Sequence, residues 1–216
     1  MQIKDIYEKY RIMPQLQEHM YRVAAVGSII ADNTTTNVDR NSIVTACLLH
    51  DMGNIIKFEL DLFPKFLEPK GLVYWESVKK EFVERYGSDE HKATQMIARE
   101  IGVNENVLTI IDAYGFSKGS ETKDSTSLEL KIATYSDMRV APYGVEDMTT
   151  RVNDMLARKK ENMGDKYDIH FYENLKSEWM KIENNVFESC RITPSEITDE
   201  IIKPVIESLK EFEITY

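Results

Sequence analysis

The sequence predicts an all-α fold for this chain of 216 residues, on three observations. Apolar residues recur every three or four positions in segment after segment, which is the period of a helix with one buried face. Only 9 glycines and 6 prolines are present, most of them between the periodic segments. No stretch alternates apolar and polar side chains over the run of positions that a half-buried strand requires.

The elements follow in order. The first long helix is expected from about Pro14 to Ala31, with proline in its first turn and Leu16, Val23, Val26 and Ile30 on one stripe that also carries His19. Residues 32–37 read as a loop. Asp39 suits the N-cap of a second helix whose inner face is Ile43, Ala46, Cys47 and His50, with Gly53 and Asn54 near its end. A loop or short helix spans Phe58 to Pro69. Helices are then expected over 72–86, 89–101, 104–114, 127–140 and 146–160. Two long, one-sidedly charged helices at about 167–188 and 194–212 complete the chain, and Thr193 to Glu196 has the look of a helix start. Residues 118–127, rich in Gly, Ser, Thr and charge, read as a mobile loop. The organisation expected is one helical domain over 1–216, with a motif region at about 14–140 and a C-terminal helical extension at about 145–213.

Composition narrows the function. The formal charge is −10, which disfavours an extended nucleic-acid surface and attachment to anionic membranes. No segment approaches the roughly 18 apolar residues of a membrane span. The N-terminus lacks a basic stretch followed by an apolar one, and Cys47 and Cys190 have no metal-binding spacing. A cytoplasmic protein is the plain expectation, and a homo-oligomer is compatible with it. A small anionic substrate remains compatible with the net charge, because a divalent cation reverses the potential locally.

Four residues carry the chemistry. His19 lies in mid-helix, His50 and Asp51 are adjacent in Leu48-Leu-His-Asp-Met-Gly53, and Asp137 lies in Ala133-Thr-Tyr-Ser-Asp-Met-Arg139. Each is ionisable within an apolar context, where an unpaired charge costs several kcal/mol unless it is paired or binds metal. One cation shared by all four removes that cost. Imidazole with carboxylate suits Mn, Co, Ni, Fe or Zn, and Mg less naturally. Singly, each residue has an ordinary structural explanation. His19 can be a hydrogen-bonded core histidine, Asp137 can pair with Arg139 or Arg151, and Cys47 is a small buried residue beside the site.

The order His19, His50-Asp51, Asp137 resembles the HD-domain superfamily of metal-dependent phosphohydrolases. The apolar lead-in and Gly53 match that family's central motif, and Arg22, three residues after His19, matches its first. The resemblance runs from about Leu16 to Arg139. It implies an all-α fold, one divalent metal ion held by His19, His50, Asp51 and Asp137, and metal-assisted hydrolysis of a phosphomonoester or phosphodiester, a nucleotide foremost. Asp51 is expected both to hold the metal and to orient or deprotonate its water. Arg22, Lys57 and Arg139 are the expected substrate contacts, chosen from a set that also includes Lys118 and Arg151. Phe58, Phe63, Phe66, Tyr74 and Trp75 either line a base pocket or pack a loop onto the core.

The chain departs from the family in two places. Asn54 stands where the 5′-nucleotidase branch carries an acidic residue. Binuclear members add two histidines; His91 resembles the first, but no histidine occurs at Asp112–Tyr114. One metal is therefore expected, with His91 an exposed surface residue. A non-catalytic HD module that binds a nucleotide or a protein partner is the alternative. An HD-type diiron oxygenase needs more histidines than the chain supplies.

Overall fold

A computed structural model describes residues 1–62 and 64–215, and within them the chain is helical almost throughout. Phe63 of the aromatic set lies outside the described residues. After the short α1 (Ile3–Lys9), α2 (Pro14–Asn33) forms the axis of the molecule. Its residues Val23 to Ser28 are all buried, because α3 (Arg40–Leu49), α8 (Leu128–Arg139) and α11 (Asp199–Leu209) pack around it. The helix outruns its expected end at Ala31. Asn33 donates its side-chain amide to the Ile29 carbonyl at 2.9 Å, and the Thr34 N–H closes on Ile30 at 2.9 Å.

Gly27 lets these helices approach. A Cβ there would sit 3.2 Å from Cys47 Sγ and 3.3 Å from Ile43 on α3, and 3.3 Å from Ser136 Oγ on α8. α3 starts where Asp39 accepts the Ser42 N–H at 3.1 Å, as an N-cap does. It ends earlier than expected, at Leu49; residues 50–53 turn, and a 3-10 turn follows at Asn54–Lys57. Gly53 fixes that turn by close approach. Its N–H donates to Thr94 Oγ1 at 2.9 Å, and an added Cβ would strike the Glu90 carbonyl and lie 2.9 Å from Ala93 Cβ.

Short 3-10 turns carry the chain to α4 (Leu72–Tyr86). Of the aromatics here, Trp75 and Tyr74 pack the segment down. Trp75 is buried with its indole N–H on the Leu67 carbonyl at 3.0 Å, and Tyr74 meets it edge-on. α5 (Glu90–Ile101) and α6 (Glu105–Asp112) are capped by Asp89 and Asn104.

The region expected to be a mobile loop instead contains α7 (Gly119–Asp124). The helix docks because Gly119 presents no side chain to Leu175 and Trp179, whose atoms would lie 2.7 and 2.9 Å from a Cβ. The Trp179 indole N–H bonds the Phe116 carbonyl at 3.0 Å just before it. After α8 comes the only sheet among the described residues, a ribbon pairing β1 (Val140–Ala141) with β2 (Gly144–Val145). α9 (Met148–Met163) and α10 (Ile169–Phe187) follow. Thr193 to Glu196 does form a capping box, but on a 3-10 turn; α11 itself starts later, capped by Thr198. No described helix is long and apolar enough to cross a membrane.

Candidate metal centre

α2, α3 and α8 bring the four predicted ligands together. His19 Nε2 lies 3.1 Å from Asp137 Oδ1 and 3.7 Å from Asp51 Oδ2. His50 Nε2 lies 3.6 Å from Asp51 Oδ1 and 3.4 Å from Asp137 Oδ1. Ligand atoms of His19, His50 and Asp51 fall within 4.8 Å of one another, and Asp137 Oδ1 sits beside both rings. His19, Asp51 and Asp137 remain partly open to solvent, while the His50 side chain is enclosed.

His50 occupies the C-cap of α3, so its ring and the following Asp51 leave the helix end together. Its Nδ1 donates to the Cys47 carbonyl at 2.8 Å, which directs the Nε2 lone pair into the cluster. That Nε2 is buried and makes no hydrogen bond; the nearby Asp137 oxygen is close enough for charge attraction but poorly aligned. Burial alone would lower the His50 pKa. The Asp51 and Asp137 carboxylates outweigh it and raise the group to about 9. Partial desolvation opposes ionisation of Asp137, yet the two histidines hold it far below the usual carboxylate range. The cluster therefore contains its own counter-charges in place of a cation.

These residues fit a divalent ion. A buried imidazole nitrogen with no partner, held in the ligating tautomer and faced by two carboxylates, is a mixed nitrogen and oxygen donor set. The absence of a thiolate suits an exchangeable ion rather than a closed structural zinc.

The surroundings revise several expectations. Arg139, expected at the substrate, has its guanidinium donors taken up by the protein itself. Its guanidinium is buried and donates to the Glu146 carbonyl, to Tyr135 Oη at 2.7 Å, to Pro194 O at 3.2 Å and to Ile197 O at 3.3 Å. It ties the C-terminal segment to α8. Arg22 pairs with Glu18 one turn earlier on α2, and Lys57 lies 3.8 Å from Glu90. Neither bonds to the four-residue cluster among the described residues.

His91 is exposed on the first turn of α5 and stands outside the cluster. Asp112 is exposed and faces Lys118 at 3.9 Å. Tyr114 packs directly against the cluster. Its ring stacks on His50, with centroids 4.4 Å apart and planes 17° from parallel, and its hydroxyl donates to Cys47 Sγ at 3.3 Å. Burial pushes the Cys47 thiol up to about 12, which disfavours the reactive thiolate. No local pattern singled out Tyr114; in sequence it is one more aromatic before a glycine.

Residues 16–139 match the HD domain family model. With more than half of its length matched, the chain belongs to the HD superfamily of metal-dependent phosphohydrolases. No curated protein and no solved structure matches the chain significantly.

Proposed function

We propose that the protein hydrolyses a phosphomonoester or phosphodiester, with a nucleotide the first substrate to test, using one divalent ion held by His19, His50, Asp51 and Asp137. The buried, unpartnered His50 Nε2 aimed at two carboxylates carries this reading. A bound ion would lower the pKa of a water and neutralise charge on the phosphoryl oxygens. Asp51 turns one oxygen toward each histidine, so one can hold the ion while the other accepts a proton from, and orients, the attacking water. Tyr114 and the Cys47 carbonyl keep the His50 ring in place. Tyr114 also leaves His91 without a partner for a second ion, which supports one metal per chain.

The rival reading is a non-catalytic HD module, and it draws on Asn54. This residue is buried beside the His-Asp turn, and an amide there cannot exchange a proton with water. The test is elemental analysis of protein purified without chelator, joined to a screen of nucleotides and phosphodiesters. One ion per chain is expected. Chelation should abolish turnover, and Mn, Co or Ni should restore it. Undiminished turnover after verified metal removal would overturn the reading. Bound metal with no turnover of any ester would favour the binding module.

A further inference from the structure

Tyr114 stands just past the end of α6, where the Ala113 and Tyr114 N–H groups close on the Ile110 and Ile111 carbonyls at 3.1 and 3.3 Å. α6 packs against α3, and this lays the buried phenol ring on the imidazole of His50, with centroids 4.4 Å apart and planes 17° from parallel. The His19 ring also meets His50, but it is tilted by 59° at 5.3 Å. Of the two, Tyr114 alone offers the imidazole a flat surface.

The Tyr114 hydroxyl donates to Cys47 Sγ at 3.3 Å. Sulfur is a weak acceptor, and a phenylalanine would fill nearly the same space with no hydroxyl to satisfy. The hydroxyl therefore matters as a tether. Cys47 lies three residues before His50 on α3, and its carbonyl accepts the His50 Nδ1 proton at 2.8 Å. Cys47 thus holds His50 twice, directly through its main-chain oxygen and indirectly through the ring that its sulfur anchors. The sulfur is itself closely packed: a Cβ on Gly27 of α2 would come within 3.2 Å of it. The imidazole is fixed at one edge and on one face, with Nε2 left buried and without a hydrogen bond.

We infer that Tyr114, tethered by Cys47, is a positioning residue of the metal centre: it fixes the plane of the His50 ring, so that Nε2 is aimed before an ion arrives. The inference rests on the metal-site reading above and deepens it, by assigning the residue that sets how tightly that site holds its ion. A carbonyl on Nδ1 fixes the tautomer and one edge of the ring but lets the ring rock about that bond. A flat partner on the face removes the rocking. A ligand already held in its binding geometry gives up less freedom when the ion enters, and affinity rises accordingly.

The test titrates Co²⁺ into metal-free protein, reading its visible absorption, which reports ligand geometry, and its affinity by competition with a chelator. The samples are wild type, Y114L, Y114F, C47A, the double variant Y114F/C47A, and W75L, with circular dichroism and thermal melts on each. Y114L removes the flat surface and should weaken Co²⁺ binding about 10–100-fold while changing the spectrum. Y114F keeps the ring and loses the tether, so about a two- to tenfold loss is expected; this variant keeps the test open if Y114L misfolds. C47A should match Y114F, and the double variant should be no worse than either, because all three remove the same bond. W75L disturbs the packing of α4, which carries no ligand candidate, and should lower Tm while keeping affinity and spectrum. Affinity and spectrum unchanged in Y114L and Y114F would make Tyr114 a packing residue and overturn the inference. Additive losses in the double variant would overturn the tether through Cys47. An equal loss of affinity in W75L would show that binding only follows stability, and would overturn the positioning role too. Wild-type protein that binds no Co²⁺ would remove the metal-site reading, and the inference with it.

Discussion

α3 and α9 both pack against α8, yet they are built differently. Eight of the ten residues of α3 are buried, against two of the sixteen in α9. α3 is a wall packed on both sides, and its end presents His50 and Asp51 with little freedom to move. α9 is a largely exposed helix whose Arg151 pairs with Asp154 on the same helix. The ligand candidates His50 and Asp51, which must hold one geometry, come from the end of the buried helix. A static donor set thus needs the dense side of the molecule.

The largest effect that would break this contrast is loss of the α3 ligands. His50→Ala and Asp51→Ala should each cut metal affinity by more than the roughly 10–100-fold typical of residues that only support a ligand, and should abolish hydrolysis while most helix content stays. Metal content and circular dichroism on the same preparations check this; full metal retention in both variants would sink the site.

A different outcome is expected where the C-terminal part is tied on. Arg139→Ala leaves the Glu146, Pro194 and Ile197 carbonyls without their donor in a buried place. The expected cost is about 3 kcal/mol of folding stability, which would lower Tm by roughly 6–12 °C in a protein of this size. Bound metal should persist. Denaturation followed with metal present would show it, and a variant as stable as wild type would mean that the C-terminal segment is held by its apolar contacts alone.

The smallest effect is a pH dependence of the metal-free protein. The His50 pKa is raised on folding from about 6.5 to about 9. Its contribution to stability is therefore fully present below pH 6.5 and is lost as the pH climbs through 9. The Asp137 pKa is depressed, so its contribution holds above the ordinary carboxylate range and fades only in strong acid. Between about pH 6.5 and 9 the chelated protein should lose on the order of 1–2 kcal/mol, less than the full shift implies because water reaches Asp51 and Asp137. Urea midpoints across that window measure it; stability rising with pH would contradict the charge arrangement.

The helices and the ligand set were legible in the sequence for the same reason, namely that both are local. Asp39 announces the start of α3, and an ionisable residue inside an apolar segment, such as His19 or Asp137, announces a functional demand. What escaped was set by tertiary contact. α7 looked like a loop because its Gly, Ser and Thr are poor helix formers, and only the faces of Leu175 and Trp179 make it a helix. Arg139 and Arg151 are equivalent as letters. Their surroundings part because Arg139 meets main-chain carbonyls and Tyr135, whereas Arg151 meets Asp154 on its own helix. Tyr114 needed His50 opposite it before its ring had any meaning.

Gly27 deserves a last consequence. The three helices that carry the ligand candidates meet at its missing side chain, where a methyl group would press within 3.2–3.3 Å of Cys47, Ile43 and Ser136 side-chain atoms. His19 lies eight positions before Gly27, about 12 Å along the same rigid helix. The absence of a single carbon at Gly27 thus lets the three helices that carry the ligand candidates stand close enough for those side chains to converge.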